Sequence, residues 1–220
     1  MSALQAVLLD LDGTLADTAP DMGAALNQVL TEHDQPRLDE ASIRPHVSSG
    51  AVGLLRLAFG AELDGSRLDQ LRQRFLQIYA DNPAHNSCLF PGMTETLERL
   101  QENGIPWGIV TNKPARFTRP VLEGLGVFEQ AACVVSGDTL SERKPHPAPV
   151  LHACRALGLA PQQCLFVGDD RRDIIAGRDA GTVNLVALFG YLGDDGDPRS
   201  WAADGYIEHP AEILDWLEMH

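Results

Sequence analysis

Positive charge is scarce in this chain. Seventeen lysines and arginines stand against 31 acids, a net charge of −14, and nucleic-acid backbones are bound by basic residues that displace condensed counterions. No nucleic-acid partner is therefore expected, and an anionic ligand would have to be drawn in by a local cation. Cysteine is sparse as well. Cys88, Cys133, Cys154 and Cys164 show neither C-x-x-C nor metal-finger spacing, so buried, reduced thiols are expected. Long apolar runs are missing: segments such as 185–192 fall far short of the roughly 20 residues that span a bilayer. No basic stretch precedes the first apolar run, as a secretory signal would require. The expectation is a cytoplasmic protein with no membrane partner. Internal repeats and low-complexity segments are absent too.

What is present is enough apolar residue for a core. At 220 residues and 44% hydrophobic content, the chain has room for one well-buried core and a second, smaller module. The most informative stretch is Ala6-Val7-Leu8-Leu9-Asp10-Leu11-Asp12-Gly13-Thr14-Leu15. Its apolar start predicts a strand covered on both faces, as in parallel sheets. Ligands of open α/β sheets collect at the carboxyl ends of strands, which puts Asp10 and Asp12 at the mouth of a site. Taken alone, Asp-x-Asp-Gly is a common acidic turn.

Farther along, apolar β-rich runs alternate with helical patterns, the rhythm of a doubly wound parallel sheet in an α/β protein. Strands are predicted over 107–111, 132–136, 164–168 and 184–188, and helices over 93–103, 116–125, 147–157 and 170–180. Gly104, Gly126, Gly158 and Gly181 fall where helix C-caps belong. From about 17 to 84 the pattern is helical throughout, with Leu68, Leu71, Phe75, Ile78 and Tyr79 forming an apolar stripe read as core packing. The chain thus divides into a core of 1–16 and 85–220 and an inserted all-helical cap of 17–84. An insertion after the first strand would stand over the site as a lid does.

Other strand ends also carry chemistry. One predicted strand runs into Thr111-Asn112-Lys113, offering a hydroxyl and an amide. Lys144 precedes a helix that Pro147 would start. A third strand runs into Asp169-Asp170-Arg171-Arg172-Asp173. Singly, Thr111 or Asp169 reads as a helix cap and Lys144 as a solvated residue. Together, Asp10, Asp12, Asp169 and Asp173 in one cleft would repel one another unless a cation joined them. An all-oxygen ligand set completed by substrate phosphate suits Mg²⁺. A carboxylate nucleophile, a Lewis acid and donors for spreading charge are the parts of phosphoryl transfer through an aspartyl-phosphate.

The order Asp-x-Asp-Gly-Thr, Thr-Asn, Lys-Pro and Gly-Asp-x-x-x-Asp resembles the four signature motifs of the haloacid dehalogenase superfamily, across essentially the whole chain. The resemblance implies a Rossmann-like core with a helical cap and Mg²⁺-dependent hydrolysis of a small-molecule phosphate ester. By position it makes Asp10 the nucleophile and Asp12 the general acid/base, with the Asp12 backbone carbonyl on the metal. Thr111 and Lys144 match phosphate-binding positions, Asp169 the metal-ligand position, and Asp173 the metal shell, directly or through water. Asn112 and Asp170 take supporting roles.

Within the superfamily the chain is similar to the phosphoglycolate phosphatase-like group. More narrowly, the stretches 107–117, 165–182, Gly190-Tyr191 and Trp201-Ala202-Ala203-Asp204 are similar to bacterial N-acetylmuramic acid 6-phosphate phosphatases. Ser48 stands where many phosphoglycolate phosphatases have glycine. Selectivity is expected from Arg44, as a fork-shaped donor to a substrate carboxylate, and from Ser48 and Ser49. Arg116 is a further possibility, with a solvated helix position as its alternative. A dehalogenase would not need Asp12. A phosphosugar mutase would share the core but need a cap for a bisphosphate, and this cap has six arginines against ten acids. A phosphorylatable receiver module would need no cap.

Overall fold

A central strand with apolar residues on both of its faces organises this α/β fold. The structure is a computed structural model and describes residues 3–193 and 196–219. Strand β1 (Ala6–Leu9) leads through a short β2 (Ala16–Asp17) into four helices, α1 (Ala19–Glu32), α2 (Glu40–Ile43), α3 (Gly50–Phe59) and α4 (Gly65–Asp81). The chain returns through β3 (Cys88–Leu89) and α5 (Met93–Glu102). It then alternates β4 (Trp107–Val110), α6 (Ala115–Gly124), β5 (Cys133–Val135), α7 (Ala148–Ala156), β6 (Cys164–Gly168), α8 (Arg171–Ala180) and β7 (Val183–Ala187), and ends with β8 (Gly205–Ile207) and α9 (Glu212–Met219).

Six strands form a parallel sheet in the order β5-β4-β1-β6-β7-β8. Leu8 of β1 pairs with Gly108 on one side and Phe166 on the other. All four β1 residues are buried. Alternation assigns Val7 and Leu9 to one face, with Ile109, Leu165 and Val167, and Ala6 and Leu8 to the other, with Val110, Val135 and Phe166. Burial of each large side chain such as Leu8, Leu9 or Phe166 contributes about 1.5–3 kcal/mol. Because the chain winds to one side of β1 through β4 and to the other through β6, the carboxyl ends of these three strands adjoin at the topological switch point.

The inserted segment is not helical throughout. Asp17 pairs with Cys88 and Ala16 with Leu89 in a two-residue antiparallel ladder at the base of the insertion. Residues 44–49 form a 3-10 helix rather than an α-helix. The ladder ties the two ends of the insertion together, a long-range pairing that helical periodicity does not report. Asp21 of α1 strengthens the tie by accepting hydrogen bonds from the backbone of Asn86 and Ser87 at 2.8–3.0 Å. Leu54, Leu55, Leu71 and Phe75 belong to the same apolar cluster as Val7 and Leu9, so the helices pack continuously onto the sheet.

Among the other expectations, Cys154 and Cys164 are buried but Cys88 is exposed. Gly181 caps α8 at φ 86°. No helix of the described residues is long and apolar enough to cross a membrane.

Candidate active site

Asp10 follows β1 directly, and its Oδ1 accepts a hydrogen bond from the Leu11 backbone at 2.7 Å. Lys144 reaches it from the loop before α7. The Lys144 Nζ lies 2.9 Å from Asp10 Oδ1, 2.6 Å from Asp173 Oδ1 and 2.7 Å from the Val110 carbonyl. Its side chain is 2% exposed, and burial alone would favour the neutral amine. The carboxylates of Asp10 and Asp173 override this and raise its pKa, so the residue is a fixed cation.

Asp169 follows β6 and is completely buried. Its Oδ1 accepts from the Thr14 hydroxyl and its Oδ2 from the Tyr191 backbone, both at 2.9 Å. Gly13 makes room for it: the residue is left-handed at φ 88°, and a side chain there would collide with the Asp169 carboxylate. Asp170 is the N-cap of α8, and Asp173 Oδ2 accepts from the Asp170 backbone at 3.1 Å, closing a capping box. The helix start thus aims Asp173 at Lys144.

Asp10, Asp169 and Asp173 each offer a carboxylate oxygen, all within 4.8 Å of one another. Burial, and then the charges of Asp10 and Asp173, push the Asp169 pKa well above the usual carboxylate range. Burial likewise pushes Asp173 up to about 7, although Lys144 opposes it. Three crowded hard oxygens, with the ionisation of Asp169 and Asp173 penalised, fit a divalent cation, which would remove that penalty.

The Asp12 carboxylate is outside this trio. Its Oδ1 accepts from Lys113 Nζ at 2.8 Å and from the Thr18 hydroxyl at 2.5 Å. Thr111 is buried, and its oxygen accepts from the Lys113 backbone at 3.1 Å, which leaves its hydroxyl hydrogen to donate. Asn112 spends one amide hydrogen on the Lys144 carbonyl at 2.9 Å. It therefore supports the lysine loop, and its Oδ1 is buried without a partner. Asp10, Asp12, Thr111, Asn112, Lys144 and Asp173, with Ser48 and Ser49 of the insertion, line one cleft of about 520 Å³.

The family model for haloacid dehalogenase-like hydrolases matches residues 4–181. The chain belongs to this family. An N-acetylmuramic acid 6-phosphate phosphatase of Pseudomonas aeruginosa is 42% identical over 98% of this chain and 95% of its own length. A phosphoglycolate phosphatase of Xanthomonas campestris is 47% identical over 95% and 94%. The crystal structure of a predicted phosphoglycolate phosphatase from Haemophilus somnus superposes with a TM-score of 0.87 at 31% identity, covering 98% of this chain and 99% of that one. The protein is a phosphoric monoester hydrolase acting on small-molecule phosphate esters.

In this haloacid dehalogenase-like hydrolase, Arg44 does not line the cleft. It is held by Asp17 at 2.8 Å and Glu40 at 3.3 Å, and it lies 5.3 Å from the centroid of the Tyr191 ring. A guanidinium already paired in this way is poorly placed to read a substrate carboxylate.

Three residues that the sequence passed over stand out. Lys113 pairs with Asp12. Arg172 binds Asp170 at 2.6 Å and donates to the Ser48 carbonyl at 2.7 Å, joining the core to the insertion. The Tyr191 hydroxyl accepts from the backbones of Thr18 and Ala19 and donates to Asp17 at 2.9 Å. Lys113 and Arg172 lie beside the motif residues and were within reach of the sequence, whereas Tyr191 was marked only by the resemblance of Gly190-Tyr191, which gave no hint of its contacts. The stripe read as core packing also does more, since Phe75 and Tyr79 form part of the cleft wall.

Proposed function

We propose that this hydrolase transfers the phosphoryl group of its substrate to Asp10 and then to water. The observation that carries the proposal is Asp10 at a strand end with Lys144 Nζ at 2.9 Å, beside two further carboxylates that gather around one point. Asp10 Oδ attacks phosphorus as the bond to the ester oxygen breaks, and Asp12 gives that oxygen its proton. Asp12 then takes a proton from water, which attacks the aspartyl-phosphate, releases inorganic phosphate and restores Asp10. Only Oδ1 of Asp12 is engaged by Lys113 and Thr18, so Oδ2 carries the proton. The Thr111 hydroxyl and the Lys144 ammonium face the phosphate oxygens and offset the charge that spreads over them.

Asp10, Asp169 and Asp173, with the Asp12 backbone carbonyl, would hold Mg²⁺, Asp173 directly or through water. Bound there, the cation supplies charge neutralisation between a carboxylate nucleophile and an anionic phosphate. Asp169→Ala is expected to raise the Mg²⁺ concentration needed for half-maximal activity steeply and to abolish the heat of Mg²⁺ binding in calorimetry, with a milder change for Asp173→Asn. Calcium, with its larger and looser shell, is expected to inhibit. Full activity after exhaustive chelation would contradict the metal assignment.

The substrate proposed is N-acetylmuramic acid 6-phosphate. Residues 17–84 act as the cap domain over a core of 1–16 and 85–220, and Ser48 and Ser49 face the substrate from the cap. A cleft of about 520 Å³ lies within the roughly 300–1,000 Å³ of sites that enclose drug-sized ligands and is ample for an amino sugar bearing a lactyl ether. The two-carbon 2-phosphoglycolate is the second reading, favoured by the 47% identity of the Xanthomonas relative. Phosphate release with Mg²⁺ from both compounds and from hexose phosphates separates them. The proposal expects the highest kcat/KM for the amino sugar, and a clear preference for 2-phosphoglycolate would reverse the assignment.

A further inference from the structure

The cleft is divided by charge. Its acids, Asp10, Asp12, Asp170 and Asp173, each have a cationic partner in Lys144, Lys113 or Arg172. Its remaining arginines, Arg72, Arg116 and Arg143, make no ion pair among the described residues; Arg37, Arg56, Arg67, Arg155, Arg171 and Arg199 elsewhere make none either, so what sets these three apart is that they gather on one cleft. In a chain with 31 acids and 17 bases, three unpaired arginines on one cleft are a local excess of positive charge.

Two of the three also share a second wall. Arg72 of α4 and Arg116 of α6, together with Leu76 and Phe117, line both the catalytic cleft and an adjoining cavity of about 560 Å³. One arginine comes from the cap and the other from the core, so they flank the junction between the two spaces. Asp69 and two glutamines also line the outer cavity, but Asp69 makes no ion pair with Arg72. The wall between this junction and the catalytic end is aromatic. Phe75 stacks on Tyr79 at 6.3 Å between ring centroids, and Tyr79 meets Phe117 at 5.4 Å. The Arg116 guanidinium lies 4.6 Å from the centroid of the Phe117 ring, a cation–π contact that restricts it without consuming its donors.

We propose that Arg72 and Arg116 form a clamp for a second anionic group of the substrate, a carboxylate, at the end of the cleft away from Asp10. The phosphate is held at Asp10 and Lys144, the body of the substrate lies along the Phe75–Tyr79–Phe117 wall, and the carboxylate is met by the guanidinium forks at the junction. Because the clamp takes one arginine from the cap and one from the core, a substrate with both anions bridges the two, whereas a substrate lacking the carboxylate does not. The inference rests on the proposed phosphatase reaction and names the residues that select its substrate.

The test compares N-acetylmuramic acid 6-phosphate with N-acetylglucosamine 6-phosphate, which lacks the lactyl carboxylate, in the wild type, Arg72→Gln, Arg116→Gln and the double variant. Hydrogen bonds to a charged group are worth about ten- to a hundredfold. Each single substitution is expected to lower the ratio of the two kcat/KM values by about tenfold, chiefly through KM for the acid sugar. Arg116→Lys should recover only part of the loss, since an ammonium cannot present a fork. An unchanged ratio in both single variants and the double would overturn the clamp while wild-type phosphate release left the phosphatase standing. A wild type that released phosphate from neither sugar nor from an aryl phosphate would remove the phosphatase reading and the clamp with it.

Discussion

Asp10→Asn is expected to lower phosphate release by at least about 10⁴-fold while the far-ultraviolet spectrum and the melting transition remain those of a folded protein. The amide is isosteric with the carboxylate but is a far poorer nucleophile, and loss of a covalent nucleophile removes the reaction path rather than one contact along it. Its neighbours tolerate the change, because the Asn Oδ1 still accepts from the Leu11 backbone and from Lys144 Nζ, which keeps its second carboxylate in Asp173. Rapid-quench experiments with labelled substrate provide a second readout: wild-type protein should trap an acid-stable, hydroxylamine-sensitive phosphoryl group on the protein, and the variant should not. Phosphate release near the wild-type rate would exclude Asp10 as the nucleophile.

Asp12→Asn is expected to cost about 10²–10⁴-fold, the usual scale of general acid–base catalysis, and the loss should depend on the leaving group. A sugar alkoxide needs a proton as the bond to phosphorus breaks, whereas an aryl oxide departs nearly unaided. Single-turnover phosphorylation by an aryl phosphate should therefore survive in the variant far better than phosphorylation by a sugar phosphate. Hydrolysis of the phosphoenzyme should be slowed for both, since the same residue activates water. Lys113 and Thr18 hold Asp12 by one oxygen, and an asparagine keeps that acceptor, so the expected loss measures the proton rather than the position. Equal losses for both leaving groups in the first step would argue that Asp12 only orients the substrate.

Much of the catalytic end was legible in the chain because Asp10, Thr111 and Asp169 each directly follow a strand, and strand ends are announced locally. The run Ala6–Leu9 is apolar and then turns acidic, as do 164–168 before Asp169, and period and composition alone mark both places. The helix cap fell one position off: the sequence offered Asp169, whereas Asp170 caps α8 in a box with Asp173. Strand β8 was not legible: three residues, Gly205–Ile207, give no pattern to count, and their place is decided by pairing with β7. The β2–β3 ladder escaped for the same reason. It joins segments some seventy positions apart through two residue pairs, and neither segment is long enough to declare itself.

The cap shows where local evidence stops. Arg44 looked available because its sequence neighbours do not reveal Asp17 as its partner 27 positions earlier. Arg116 read as either a substrate-reading or a solvated helix residue; it is exposed on α6, and only the packing of α4 against α6 shows that it shares a cavity wall with Arg72. By itself the sequence determined the alternation of strands and helices, the helical insertion after the first strand, and the identity of the acids and threonine at the strand ends and of the lysine ahead of a helix. These follow from periodicity and from residue chemistry, which act over a few neighbouring positions. Only the tertiary structure decided which charges are paired and which are left open to a ligand. That depends on side chains far apart in the chain meeting across packed elements, and a guanidinium's partner is set by distance in space, to which position along the chain gives no guide.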